Sequence, residues 1–435
     1  MIKNIILIIL MATASMVQAQ SFEYCGHDHL VNEMKVKYPG LYEKWDKTYQ
    51  EYASQSSLSR RGFSQDTIFT VQLVFHVIWS NALERVDEQY ILSQVDALNE
   101  AFGHYHKDTA SIRAIFKDRA GDVGIRFKLA TIDPNGDTTN GINYVQTTVS
   151  EFGRNRGNEK SSSTGGADAW DSDKYVNVWV CDFSVNGQAS LLGYATPPVN
   201  HLFWTGTSAN YPKDQQGLAL HFATVGKNNP RGAGITGNPQ DGRTAVHEMG
   251  HYLGLRHIWG DGGFTNGCNV DDFIFDTPNQ RNQTNFNCNK GVNTCTSGNP
   301  DEPDMLENYM DYSNEACMGM FTKKQSDVMR ISLVNQRPGV IVATVINTPA
   351  IEPADWNVYY SNNDELSINI NGKKLDQYSY ELYNFAGQRM AERNNLDKVS
   401  QTINAPQFAN GLYVLSLYQK GQDKPIHIQK VLLQK

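Results

Sequence analysis

The sequence predicts an α/β (α+β) body with a mixed twisted sheet, followed by an all-β sandwich. Three observations predict it. Between residues 67 and 334, β-branched and aromatic runs alternate with stretches of helical period. At 347–353 two prolines interrupt the patterning. Beyond 355 lie short alternating runs separated by turn residues.

The elements follow in chain order. Lys3, the apolar run 5–11 and the small-residue end Val17-Gln18-Ala19 read as a secretory signal peptide, residues 1–19. That run is too short to span a bilayer, and no later stretch is long enough, so no transmembrane segment is expected. Residues 20–59 are polar and helix-prone with few apolar anchors, and lead into the cleavable string Ser57-Leu58-Ser59-Arg60-Arg61-Gly62. They read as a propeptide. Ile68, Val71, Leu73, Phe75, Val77 and Trp79 predict a strand. Ile91, Leu92, Val95, Leu98 and Phe102 predict a helix over 87–105. Strands are expected at 125–132, 175–183 and 191–196, and a long surface loop at 151–173. A second helix spans 243–255 with Asp241 as its N-cap, and a third starts at Thr322. The simplest assembly packs helices on a mixed sheet over 60–345. In the tail, runs at 366–370, 378–383, 401–403, 412–417 and 426–433 predict a β-sandwich over 355–435, with no catalytic constellation of its own.

Net charge is -8, which argues against a nucleic-acid partner. Six cysteines are present, four of them (Cys268, Cys288, Cys295, Cys317) within 50 residues of loop-like sequence. In an exported protein such a cluster reads as disulfides.

The chemistry concentrates in His247-Glu248-Met249-Gly250-His251-Tyr252-Leu253-Gly254-Leu255-Arg256-His257. A helix puts His247 and His251 on one face, one turn apart. Glu248 lies beside that face, able to reach a water without ligating the metal. Gly254 allows a sharp turn at positive φ, which returns His257 to the same ion. Three neutral nitrogens and one open position describe a catalytic Zn²⁺ rather than a structural one. Such an ion acidifies a water and polarises a scissile carbonyl, with Glu248 as the proton carrier. Asn308-Tyr309-Met310-Asp311-Tyr312 follows about fifty residues later.

The extended histidine string and this methionine-containing turn together resemble the metzincin metalloproteases. Within them, the string from Arg243 to Gly260, Asp276-Thr277-Pro278-Asn279-Gln280 and the Met310 turn resemble the pappalysin family over roughly residues 67–340. The resemblance implies a metzincin fold with a zinc-binding helix, and hydrolysis of protein or peptide substrates. It implies Met310 as the floor under the zinc ligands and Tyr312 as a stabiliser of the tetrahedral intermediate. It implies disulfides Cys268–Cys295 and Cys288–Cys317. It also implies Ca²⁺ in the loop after the zinc helix, with Asp271, Asp272, Asp276, Thr277 and Gln280 as oxygen ligands. Members that cleave before arginine carry an acidic residue where Glu315 stands, so a basic P1′ residue is expected.

Cys25 follows the signal cut closely. Its thiolate suits the fourth zinc position, which makes it a latency ligand in the zymogen; the rival reading is a Cys25–Cys181 disulfide. Residues 355–435 resemble the type IX secretion sorting domain through Tyr380 to Gln388, Asn410-Gly411-Leu412-Tyr413-Val414 and Lys430-Val431. That implies the type IX machinery as partner, and secretion or surface attachment through the periplasm of a Bacteroidetes-type cell. Two alternatives stand beside the protease. One is a catalytically silent metzincin scaffold serving as a binding or adhesin module. The other is a zinc hydrolase of a non-peptide amide.

Overall fold

The computed structural model describes residues 22–54, 67–199, 211–260, 267–296, 301–347, 356–361, 365–370, 375–398, 400–404, 407–421 and 425–433. The signal peptide and the Arg60-Arg61 stretch lie outside them. The N-terminal segment holds β1 (Glu23–Cys25), α1 (His27–Lys37) and α2 (Pro39–Ala53). The body runs through β2 (Thr67–Trp79), α3 (Glu88–Gly103), α4 (Ala114–Lys117), β3 (Ile125–Leu129), β4 (Ile142–Gln146), β5 (Val176–Cys181), β6 (Ser184–Val185), β7 (Gln188–Ala189), β8 (Leu191–Ala195), β9 (Leu218–His221), α5 (Arg243–Tyr252) and α6 (Lys323–Gln336). Then come β10 (Ile341–Asn347), β11 (Trp356–Ser361), β12 (Glu365–Ile370), β13 (Tyr378–Asn384), β14 (Arg389–Arg393), β15 (Ser400–Asn404), β16 (Gly411–Gln419) and β17 (His427–Leu433). Among the described residues, no helix is long and apolar enough to cross a membrane.

β2 is the axis of the body. Its nearly continuous apolar run is buried almost throughout, as a strand covered on both faces should be. It pairs in parallel with β3, β4 and β5. β9 continues from β5, and β8 then turns antiparallel at the edge. Ile91, Val95, Leu98 and Phe102 of α3 fill the same core as Met249 and Leu253 behind the histidine helix. The histidine helix is therefore backed by the packed core of the sheet.

His76 sits fully buried in β2 against Asn177, 2.9 Å away, and desolvation holds its pKa down to about 4. A histidine with a depressed folded pKa stabilises above its unfolded value and loses that contribution as pH falls towards the folded one. Acidification from pH 6.5 to 4 should therefore remove about 3 kcal/mol through His76. Denaturant midpoints across that range should flatten in His76→Gln.

The tail forms a sandwich as expected. β10-β17-β16-β13-β14 face β11-β12-β15, with Val358, Leu366, Ile368, Leu382, Leu415 and Val431 between them. β10, β11 and β14 were not anticipated. β10 pairs with β2 on one side and with β17 on the other. One strand thus joins body and tail into a continuous sheet just before the expected linker. α2 also departs from expectation. Leu41, Trp45, Tyr49 and Tyr52 form a buried stripe at helical spacing, where few anchors were foreseen.

The disulfides Cys268–Cys295 and Cys288–Cys317 are formed. Cys25 and Cys181 are both free thiols, so the Cys25–Cys181 bond is ruled out.

Candidate active site

α5 carries the first two histidines, and its start is held in an unforeseen way. Its N-cap is Gly242 at φ 70°, so Asp241 does not cap it. The carboxylate at the helix start belongs to Glu315. Its Oε1 accepts from Arg243 N at 2.9 Å, and its Oε2 from Gln240 N at 2.8 Å and Asp241 N at 2.6 Å. A negative group there also meets the positive end of the helix dipole. Burial raises this carboxyl to about 7.

His247 Nδ1 lies 2.7 Å from Tyr309 O, and His251 Nδ1 lies 2.8 Å from Leu255 O. A carbonyl only accepts, so both rings carry the proton on Nδ1 and aim a bare Nε2 inward. Gly254, at φ 100°, ends the helix, and the chain turns back to bring in His257. His251 Nε2 is 3.1 Å from His247 Nε2 and 3.2 Å from His257 Nε2. Nitrogens about 2.0–2.1 Å from a tetrahedral zinc stand about 3.3 Å apart. The set fits that ion. Bare lone pairs crowded in a dry interior favour a cation between them.

Cys25 Sγ completes the cluster, whose four donor atoms lie within 4.8 Å of one another. It arrives there because β1 adds to the outer edge of β8, with Cys25 opposite Gly193. A Cβ at Gly193 would stand 3.1 Å from Glu248 Cγ, so this edge strand runs directly over the glutamate. Among the described residues, neither buried Glu248 oxygen meets a partner beyond the Cys25 thiol beside it, and burial raises the carboxyl to about 8. Tyr312 OH is 3.0 Å from His257 Nε2. Met310 is fully buried beneath the helix, where a Cβ on Gly250 would meet its Sδ at 2.4 Å. Only glycine lets the methionine lie so close.

Three neighbours of Cys25 escaped the sequence reading. The Tyr24 ring lies 4.6 Å from that of Tyr312 and 5.5 Å from that of His247. His27 stacks on His251 at 3.8 Å. Asp28 Oδ1 is 3.4 Å from His257 Nδ1. Adjacency to Cys25 was the only signal for them. The five oxygen donors of the following loop are not all brought together. Asp276 is spent on α6, accepting from Thr322 Oγ1 at 2.7 Å and Lys324 N at 3.1 Å. Asp271 accepts from Phe273 N, and Thr277 Oγ1 donates to Asp272 Oδ1 at 2.8 Å. Among the described residues, Asp272 Oδ2 and Gln280 Oε1 are buried without a hydrogen-bond partner.

Comparison with known proteins supplies the family. Residues 159–334 match the peptidase M43 profile described as pregnancy-associated plasma protein-A. An extracellular metalloprotease of Verticillium alfalfae is 39% identical over 294 residues, spanning 66% of this chain and 84% of that protein. This chain is a pappalysin. A second extracellular metalloprotease, from Arthroderma otae, is 27% identical to the pappalysin over 257 residues, covering 59% of this chain and 75% of that protein. Among solved structures, a Tannerella forsythia promirolysin mutant is 34% identical, covers 73% of the pappalysin and 95% of its own chain, and superposes with a TM-score of 0.59. Mature mirolysin in complex with a cleaved peptide gives 38%, 63%, 94% and 0.53 in the same order. Residues 362–433 match a secretion system C-terminal sorting domain. The pappalysin is therefore a metalloprotease with a metzincin fold, exported through its type IX sorting tail to the cell surface or beyond. Its family implies a catalytic metal, and the histidine cluster supplies donors for one.

Proposed function

We propose that this pappalysin is a zinc endopeptidase made as a latent precursor, with His247, His251 and His257 holding the ion. The convergence of three Nε2 atoms beside a buried, underused Glu248 carboxylate carries this reading. When bound, the zinc polarises the scissile carbonyl and makes water nucleophilic near neutral pH. Glu248 takes the proton of the attacking water and passes it to the leaving amine. Tyr312 donates its phenolic proton in a hydrogen bond to the substrate oxyanion. The edge of β8, now covered by β1, offers main-chain groups to an extended substrate. Peptide mapping of a denatured protein digested by the wild type and by Glu248→Ala tests the whole. Cleavage is expected only with the wild type, and only without chelator. Equal fragments from both would end this reading.

The same geometry supports latency through Cys25, whose sulfur takes the fourth corner of the donor set and excludes solvent from it. Residues 20–59 then act as the propeptide, 60–345 as the catalytic domain and 355–435 as the sorting domain.

Glu315 supports a preference for Arg or Lys at P1′. Three main-chain N–H groups occupy its carboxylate, which has about four acceptor sites, so one remains for a basic side chain. Library profiling should show basic enrichment directly after the scissile bond, and a flat profile there removes this part.

Asp272 Oδ2 and Gln280 Oε1 support a Ca²⁺ site. Burial raises the Asp272 carboxyl well above the carboxylate range, and a hard cation would reverse that. Calcium should raise the Tm of the wild type and leave Asp272→Asn unmoved; no calcium shift in the wild type refutes the site.

A further inference from the structure

Away from the histidines, α2 grips the body at one residue. Arg256 is 5% exposed, between Leu255 and the ligand position His257. Its Nη2 meets Asp46 Oδ1 at 2.5 Å. Its guanidinium lies 4.8 Å from the Trp45 ring centre, 4.2 Å from that of Tyr49 and 5.8 Å from that of Phe273. Tyr49 OH also donates to Asp272 O, and Asn335 Nδ2 on α6 reaches Tyr52 OH at 3.3 Å. A buried guanidinium stacked between aromatic faces and paired with a carboxylate is a specific, desolvated anchor. Losing Asp46 would take away the carboxylate that this buried charge meets.

These contacts do not depend on the covalent link between α2 and β2. That link adds only effective concentration. We propose that Arg256, clasped by Trp45, Asp46 and Tyr49, is a second lock that keeps residues 22–54 on the body after the chain between α2 and β2 is cut. The cut alone then does not open the cleft. This rests on reading 22–54 as a prosegment, but not on the Cys25 sulfur as the latch.

The test uses the full precursor with a site-specific protease sequence substituted over residues 57–62. After cutting, the fragment should co-elute with the body in size exclusion at micromolar protein, and activity should stay at the uncut level. In Asp46→Asn with Trp45→Ala the fragment should elute apart, and activity should rise at least about tenfold, equivalent to the loss of about 1.4 kcal/mol of retention. Asp46→Asn alone, which keeps the ring packing, should release it partly. In Cys25→Ala the cut fragment should still co-elute, though the cleft leaks activity. If only the leak is missing, the sulfur latch fails and the clasp stands. If the wild-type fragment leaves on cutting, or the double variant retains it as tightly as the wild type, the clasp is refuted.

Discussion

Glu248→Gln is expected to lower kcat on a denatured protein by about a thousandfold while bound zinc stays stoichiometric. Glutamine keeps the volume that fits beneath Gly193, where Glu248 Cγ would lie only 3.1 Å from an added Cβ. It also leaves the three imidazoles and their carbonyl partners, Tyr309 and Leu255, untouched. What it removes is a group able to take a proton. A metal assay beside a single-turnover rate separates this from collapse of the site. Retention of activity within about tenfold would mean that Glu248 is not the base. A wild type with metal but no turnover would favour the silent scaffold instead.

Cys25→Ala is expected to raise the basal activity of the uncut precursor on the order of tenfold or more. The sulfur is one of four converging donors, and each 1.4 kcal/mol lost from the closed state multiplies the open fraction tenfold. The rest of the segment keeps its hold through the pairing of β1 with β8, the stacking of His27 on His251 and the ring of Tyr24 against Tyr312. The variant should therefore leak rather than become fully active. A peptide assay on precursor carrying an uncuttable 57–62 stretch reads this directly. Unchanged latency would assign the block to those other contacts.

The sequence announced the histidine helix because a local spacing rule governs it. Residues four apart share a face, and Gly254 turns the chain where φ must be positive. Both disulfides followed from the family pattern. Features made by distant partners were not legible. Glu315 was read for its pocket role alone, and its hold on three N–H groups some seventy residues earlier had no local signal. Asp241 looked like a cap, but Gly242 takes the left-handed position that starts α5. Asp276 was read only as a cation ligand, and its hold on the start of α6 had no local signal. The stripe of α2 was present in the sequence, but tyrosines and a tryptophan among charged residues hid it. The strand at 341–347 follows a Pro338-Gly339 turn signal, but its place in the sheet was not legible, since its partners β2 and β17 lie at opposite ends of the chain.

That shared strand has a consequence for maturation. If the tail is trimmed after export anywhere in 348–355, Ile341–Asn347 keeps its bonds to β2 but is stripped of its other neighbour. Ala343 and Val345, now sealed against the tail, would be bared beside a row of unsatisfied amides and carbonyls. The trimmed enzyme would carry an open strand edge on its body sheet where the tail now completes it.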